Sequence, residues 1–234
     1  TLYIETREKK TALIDRTEVT DFSIPRMALD LQEILETMVP PDQPFCLAGS
    51  SLGSTVMLEY LGWNMRNPML TIAIAPNAEF GIPRWFYPLA RFFPPSAYGM
   101  IRGFIKWYLR MYRVDSVRER EQTRKYERSL DWADPQRLKA SAMTMKGYSL
   151  WPKLSAINDP VIIVAAETDT LHGVEEMKQM ERLIPQARLD IMESNRETHS
   201  ARAGRFIVEQ ITACIAPGAP HKKTLSGNAK GINP

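Results

Sequence analysis

The sequence predicts a mixed α/β fold built on a mostly parallel sheet with helices on both faces, and three stretches carry that prediction. In the first, Phe45-Cys46-Leu47-Ala48-Gly49-Ser50-Ser51-Leu52-Gly53, an apolar run enters a Gly-x-Ser-x-Gly motif and a helix-like segment comes next. The second is Pro160-Val161-Ile162-Ile163-Val164-Ala165-Ala166, a continuous apolar run of the kind a buried parallel strand needs. The third begins at Ser23, a hydroxyl placed to cap a helix running to about Met38. It sets Ile24, Met27, Leu31, Ile34, Leu35 and Met38 on one face.

The remaining elements are taken in chain order. Thr1-Leu2-Tyr3-Ile4-Glu5 is strand-like, and Thr6 to Lys10 is a polar loop before the first helix. After the elbow comes a long stretch, about Ala78 to Leu154, whose composition differs from its flanks. Phe80 to Tyr112 holds 11 of the chain's 21 aromatics, which marks a locally apolar unit. Gly81 to Arg128 carries 11 Lys/Arg against 4 Asp/Glu, so the basic excess is concentrated there. Arg118 to Arg128 alternates in charge sign, as an exposed helix does. Beyond the strand at 160–166 a helix from Val174, a strand-like run from Arg188 to Met192, a polar loop and a helix over Ala201 to Ile215 complete the pattern. Pro217 to Pro234 is Pro/Gly/Lys-rich, a composition that predicts disorder.

The elbow motif has a chemical reading. A serine on a sharp strand-to-helix turn sits in a strained backbone conformation, and its neighbours must be small. Gly49 and Gly53 meet that need, and Ser51 is the candidate nucleophile. The helix that starts at Leu52 aims backbone N–H groups at the reacting centre, so the Leu52 amide is a candidate oxyanion donor. A serine needs a base, and the base an orienting acid. The chain has three histidines: His172, directly after a strand; His199, in the polar loop before the last helix; and His221, in the tail. Glu167, Thr168 and Asp169 come directly after the strand at 160–166, so Glu167 and Asp169 are the candidate acids. The competing reading makes Ser51 a helix cap, Asp169 a turn former and His199 a hydrogen-bonded loop residue.

The chain resembles the α/β-hydrolase superfamily from residue 1 to about 216. The resemblance rests on the elbow Gly49-Ser50-Ser51-Leu52-Gly53, the acid segment Ala166-Glu167-Thr168-Asp169-Thr170-Leu171, and the segment Glu197-Thr198-His199. It implies a catalytic triad in the chain order Ser51, Asp169, His199, with Asp169 at the family's acid position and Glu167 as its rival. It departs from the family pattern at Ser50, where His is usual, and at Ser54, where Gly is usual. It further implies that residues 1–77 form the first part of the core, 78–154 a helical cap, 155–216 the second part of the core, and 217–234 a tail. The aromatics Trp85, Phe86, Phe92, Phe104 and Trp107 would then line an acyl pocket; the plainer alternative is that they pack the cap onto the core. No His-Gly-rich segment precedes Ser51, so the resemblance implies that the first strands, and the loop giving the second oxyanion donor, are absent, and that the chain is a fragment.

The resemblance therefore implies a serine hydrolase acting on an ester, thioester or lipid-like acyl substrate. The alternatives are a carbon–carbon bond hydrolase with the same triad, and a binding protein that kept the fold without the chemistry. No cofactor and no metal are implied. At 234 residues with 30 basic and 27 acidic side chains, the chain can bury one substantial core, and its charge gives no argument for nucleic acid. Lys106, Arg110 and Arg113 beside aromatics are compatible with contact at a membrane surface. Two cysteines make no disulfide framework; Cys46 and Cys214 read as small apolar residues. With no signal peptide and no membrane-length apolar run, the expected location is the cytoplasm.

Overall fold

In a computed structural model the chain is described over residues 1–14, 20–112, 119–169 and 172–216. The expected tail, His221 and Arg113 lie outside the described residues. Four strands form one parallel sheet in the order β1 (Cys46–Ser50), β2 (Leu70–Ile74), β3 (Val161–Ala166) and β4 (Ala187–Met192). Every residue of β2 and β3 is buried, which is why the run at 160–166 carries no alternation. Because all four strands are parallel, the loops leaving β1, β3 and β4 emerge at one end of the sheet. That end is where α/β sheets place their chemistry.

Helix α1 (Ile24–Met38) starts where Ser23 predicts: the Ser23 side chain accepts from the Arg26 amide. Its buried face is Ile24, Met27, Ala28, Leu31 and Leu35. Met38, expected on that face, is exposed at the helix end. Helix α2 (Leu52–Leu61) packs against α1, β1 and β2. The strand expected at Thr1–Glu5 does not form; the segment is extended but unpaired with the sheet. Residues 2–9 instead line a cavity of about 550 Å³ along β1 and the start of α2. Cys46 and Cys214 are half-buried rather than buried.

Between β2 and β3 lies a helical insertion: α3 (Phe86–Phe92), a 3-10 turn at Pro95–Ala97, α4 (Tyr98–Tyr112), α5 (Arg120–Trp132), α6 (Pro135–Thr144) and α7 (Trp151–Leu154). The Asp134 carboxylate caps α6 by accepting from the Gln136 and Arg137 amides. Arg137 of α6 donates in turn to the carbonyls of Lys9, Ala12 and Ile14, tying the chain before α1 to the insertion. The basic residues of α4 face carboxylates on α5: Lys106 and Arg102 meet Asp131, and Arg110 meets Glu127. Three of the basic residues concentrated here are therefore paired inside the insertion. Helix α8 (Val174–Leu183) links β3 to β4, and α9 (Asn195–Thr198) and α10 (Ala201–Ile215) come after the last strand. Among the described residues, no helix is long and apolar enough to cross a membrane.

The junction between insertion and core is held by a buried carboxylate. Glu59 of α2 is fully buried; its Oε2 accepts from the Tyr148 hydroxyl at 2.9 Å and its Oε1 pairs with Lys153 of α7. Burial and the adjacent carboxylate push the Tyr148 phenol far up, so it stays a donor. Removing the cation strands the carboxylate out of water. Lys153→Ala should therefore cost about 3 kcal/mol of stability, read as a lower urea midpoint; an unchanged midpoint would mean Glu59 is satisfied without Lys153.

Candidate active site

Ser51 has φ 51° and ψ −118°, a backbone region an L-residue enters only under tertiary restraint. The restraint is visible. The Ser51 N–H donates to the Ile74 carbonyl at 2.8 Å, stitching the elbow to the end of β2. The Ser54 hydroxyl donates to the same carbonyl at 2.9 Å, which gives this serine a use at a position where glycine is usual. Thr55 Oγ1 donates to the Asn77 carbonyl and accepts from the Asn77 amide. Gly49 is required by packing: a Cβ there would stand 3.0 Å from Met57 Cε and 3.3 Å from the Gly53 carbonyl carbon. Gly53 is not, since a Cβ there would meet nothing within 4 Å. Leu52 is the first residue of α2, so its N–H has no partner within the helix and remains open to a developing oxyanion.

The partner of Ser51 is His172, not His199. Ser51 Oγ lies 3.2 Å from His172 Nε2, and His172 Nδ1 lies 2.9 Å from Asp169 Oδ2. A carboxylate can only accept, so Nδ1 carries the proton and Nε2 presents its lone pair to the serine hydroxyl. Asp169 Oδ2 also accepts from Asn195 Nδ2 at 2.5 Å, and Oδ1 accepts from the His172 amide at 3.2 Å. His172 and Asp169 are both buried. Glu167 is exposed, its amide donating to the Met192 carbonyl. Of the two candidate acids, the structure brings Asp169 to the histidine.

His199 sits one residue away from the expected contact. Its Nε2 lies 3.1 Å from Ser50 Oγ, and its Nδ1 donates toward the Asn195 carbonyl at 3.1 Å and to Thr198 Oγ1 at 2.9 Å. Nε2 therefore accepts from Ser50. The expected contact of His199 with Ser51 is not made; His172, three residues beyond Asp169 in sequence, occupies that place. The signal for this pairing in the sequence is Asp169-x-x-His172, a carboxylate and an imidazole three apart on one loop. Chain order points past it.

The aromatics divide. Trp85, Phe86 and Phe104 line a cavity of about 340 Å³ that also reaches Ser51 and His172. Trp85 stacks edge-on with Phe86, Phe104 and Tyr108. Phe80, Ile101, Ile105 and Tyr108 share this wall. Phe92 and Trp107 do not line it; Phe92 is 82% exposed and Trp107 48%. Amphipathic spacing does not reveal which aromatics of α3 and α4 turn toward the elbow, because that depends on where the helices dock.

Comparison with solved structures agrees with this architecture. An esterase from Thermogutta terrifontis superposes with a TM-score of 0.65 at 19% identity, over 84% of this chain and 75% of that one. A hydrolase from Oleispira antarctica gives 0.63 at 20% identity, over 81% and 72%. The enol-lactonase from Burkholderia xenovorans gives 0.63 at 16%, over 83% and 76%. The chain has the α/β-hydrolase fold. By sequence, no protein-family model and no curated protein matches it.

Within this α/β-hydrolase fold the two histidines differ in environment. Burial, then the Lys125 cation, holds the His199 imidazole below its ordinary value, against the opposing pull of the Asn195 carbonyl. A lowered value in the folded state means the unfolded chain takes the proton first. The stabilising share of neutral His199 is complete above about pH 6.5 and is lost as pH falls below it toward the depressed folded value. The melting temperature should drop through that window more steeply in the wild type than in His199→Gln. Parallel curves would show that His199 titrates as it does in the unfolded chain.

Proposed function

We propose that this protein is a serine hydrolase of carboxylic esters, with Ser51 as nucleophile, His172 as base and Asp169 as the orienting acid. The observation that carries the reading is the continuous chain of contacts from Ser51 Oγ through His172 to Asp169, on a strained elbow at the carboxyl end of a parallel sheet. The Ser51 hydroxyl proton passes to His172 Nε2 as Oγ attacks the ester carbon. The oxyanion is met by the Leu52 N–H, a kind of contact worth a few kcal/mol of barrier. The tetrahedral intermediate collapses, and the alcohol leaves with the proton from Nε2. Water then enters and gives one proton to Nε2 as its oxygen attacks the acyl carbon; Nε2 returns that proton to Ser51 Oγ as the acyl–Oγ bond breaks and the acid leaves. Asp169 keeps Nδ1 protonated throughout and stabilises the imidazolium.

The insertion acts as a cap in this reading. The cavity at Trp85, Phe86 and Phe104 opens onto Ser51, so it receives the acyl chain. Structural neighbours that include an esterase, an enol-lactonase and a lipase-esterase related protein support an ester-type bond as the target. A second reading keeps His199 as the base. It is favoured by the 3.1 Å contact of His199 Nε2 with Ser50, next to the nucleophile, and by the chain order the family resemblance implies.

Ser51→Ala should abolish hydrolysis of p-nitrophenyl esters and labelling by a fluorophosphonate, while Ser50→Ala should leave most of both. His172→Ala should lower kcat by several orders of magnitude, as loss of a triad member does, and His199→Ala far less. The reverse order would install His199 as the base; labelling retained in Ser51→Ala would remove the nucleophile. The cavity wall makes a separate prediction. Each methylene buried against it contributes about 0.8 kcal/mol, roughly a factor of four, so kcat/KM should rise severalfold per carbon of acyl chain until the cavity is full. A flat profile would leave Trp85, Phe86 and Phe104 as packing residues alone.

A further inference from the structure

One buried acid takes no part in the proposed chemistry. Glu119, at the start of α5 in the insertion, is only 4% exposed. Its Oε1 accepts from the Thr168 hydroxyl and from the Asn195 amide at 3.3 Å. No cation among the described residues pairs with it, although burying a carboxylate away from water carries a large penalty. The two groups it binds belong to separate loops at the sheet's carboxyl end. Thr168 immediately precedes Asp169. Asn195 opens α9 after β4, and its Nδ2 donates to Asp169 Oδ2. The Asn195 amide also approaches Thr168 Oγ1 at 3.4 Å, which closes a small ring of polar contacts around the acid loop.

We propose that Glu119 is a positioning residue through which the insertion sets the geometry of Asp169 and His172, an inference that rests on the Ser51–His172–Asp169 assignment. Asp169 leaves β3 in a turn, its amide donating to the Ala166 carbonyl at 3.2 Å. Glu119 clamps Thr168, the residue before Asp169, to α9, and α9 in turn supplies the Asn195 side-chain amide that donates to Asp169 Oδ2. The carboxylate that orients the base is therefore held from two sides, and one of the two holds is anchored in the insertion. Seating of the insertion and competence of the base become one event. An insertion displaced from the core loses the Glu119 contacts, and Asp169 is then free to rotate away from His172 Nδ1.

The test compares the wild type with Glu119→Ala, Glu119→Gln and Thr168→Val by three measurements: the second-order rate of fluorophosphonate labelling, kcat and KM for a short p-nitrophenyl ester, and the downfield proton resonance of His172 Nδ1–H. Glu119→Ala should slow labelling about tenfold or more, since small displacements of a reacting group cost that much. It should lower kcat with KM nearly unchanged, and shift or broaden the Nδ1–H resonance. Glu119→Gln keeps an acceptor oxygen and should retain most of the rate. Where Glu119→Ala does not fold, Thr168→Val removes the hydroxyl bridge at nearly constant volume and should act in the same direction. Wild-type labelling and an unmoved resonance in the folded variants would overturn the inference, even if their melting temperatures fall. A wild type that does not label at Ser51 overturns the hydrolase reading instead, and the resonance still decides whether Glu119 sets the Asp169–His172 contact.

Discussion

The site depends on one backbone conformation, that of Ser51. A side chain at φ 51° and ψ −118° is uphill by about 1–3 kcal/mol, and it persists because its neighbours leave no alternative. The Ile74 carbonyl at the end of β2 accepts from both the Ser51 amide and the Ser54 hydroxyl. Met57 folds back over Gly49, closing the gap that any larger residue would hold open. The same geometry that lifts the serine hydroxyl out of the sheet leaves the first amides of α2 unpaired beside it. The raised hydroxyl and the open amides are two consequences of a single turn.

Around that turn the molecule is assembled by buried polar groups more than by the sheet alone. Glu59 holds α7 and Tyr148 to α2, Arg137 gathers the carbonyls of Lys9, Ala12 and Ile14, and Glu119 joins the acid loop to α9. Each of these contacts links the helical insertion, or the segment just after it, to a part of the chain distant in sequence. Apolar packing brings such elements together without specifying their register. Buried carboxylates and guanidinium groups held by directional hydrogen bonds do specify it, because a misplaced one remains desolvated and unpaired. The apolar wall of Trp85, Phe86 and Phe104 reaches Ser51 only because the insertion is held in that register.

The two histidines show how far local chemistry can redirect a site. Both are neutral acceptors at Nε2, and each faces a serine, His172 toward Ser51 and His199 toward Ser50. Only His172 has a carboxylate on its other nitrogen. His199 has a backbone carbonyl there, which orients the ring but offers less to an imidazolium. The two rings therefore differ both in the serine they face and in the group behind them, a carboxylate for His172 and a backbone carbonyl for His199.

Much was legible in the chain because it is written in local terms. Ser23 and the apolar spacing after it define α1; the unbroken run at Val161–Ala166 defines a strand buried on both faces; the glycine-flanked serine between strand and helix defines the elbow; and two carboxylates, Glu167 and Asp169, stand directly after that strand, between which only the family resemblance pointed to Asp169, the one that meets His172. These features depend on neighbours within a few residues. The sequence could not decide that Thr1–Glu5 would stay unpaired, because a strand-like run becomes a strand only beside a partner. Nor could it decide which aromatics of α3 and α4 face the elbow, since both lie on amphipathic helices whose docking is set by contacts far along the chain. The choice between His172 and His199 was of the same kind. It turned on which imidazole reaches Ser51 when the turn after β3 and the loop after β4 converge at one end of the sheet, and only the tertiary structure places those two loops in the same few ångströms.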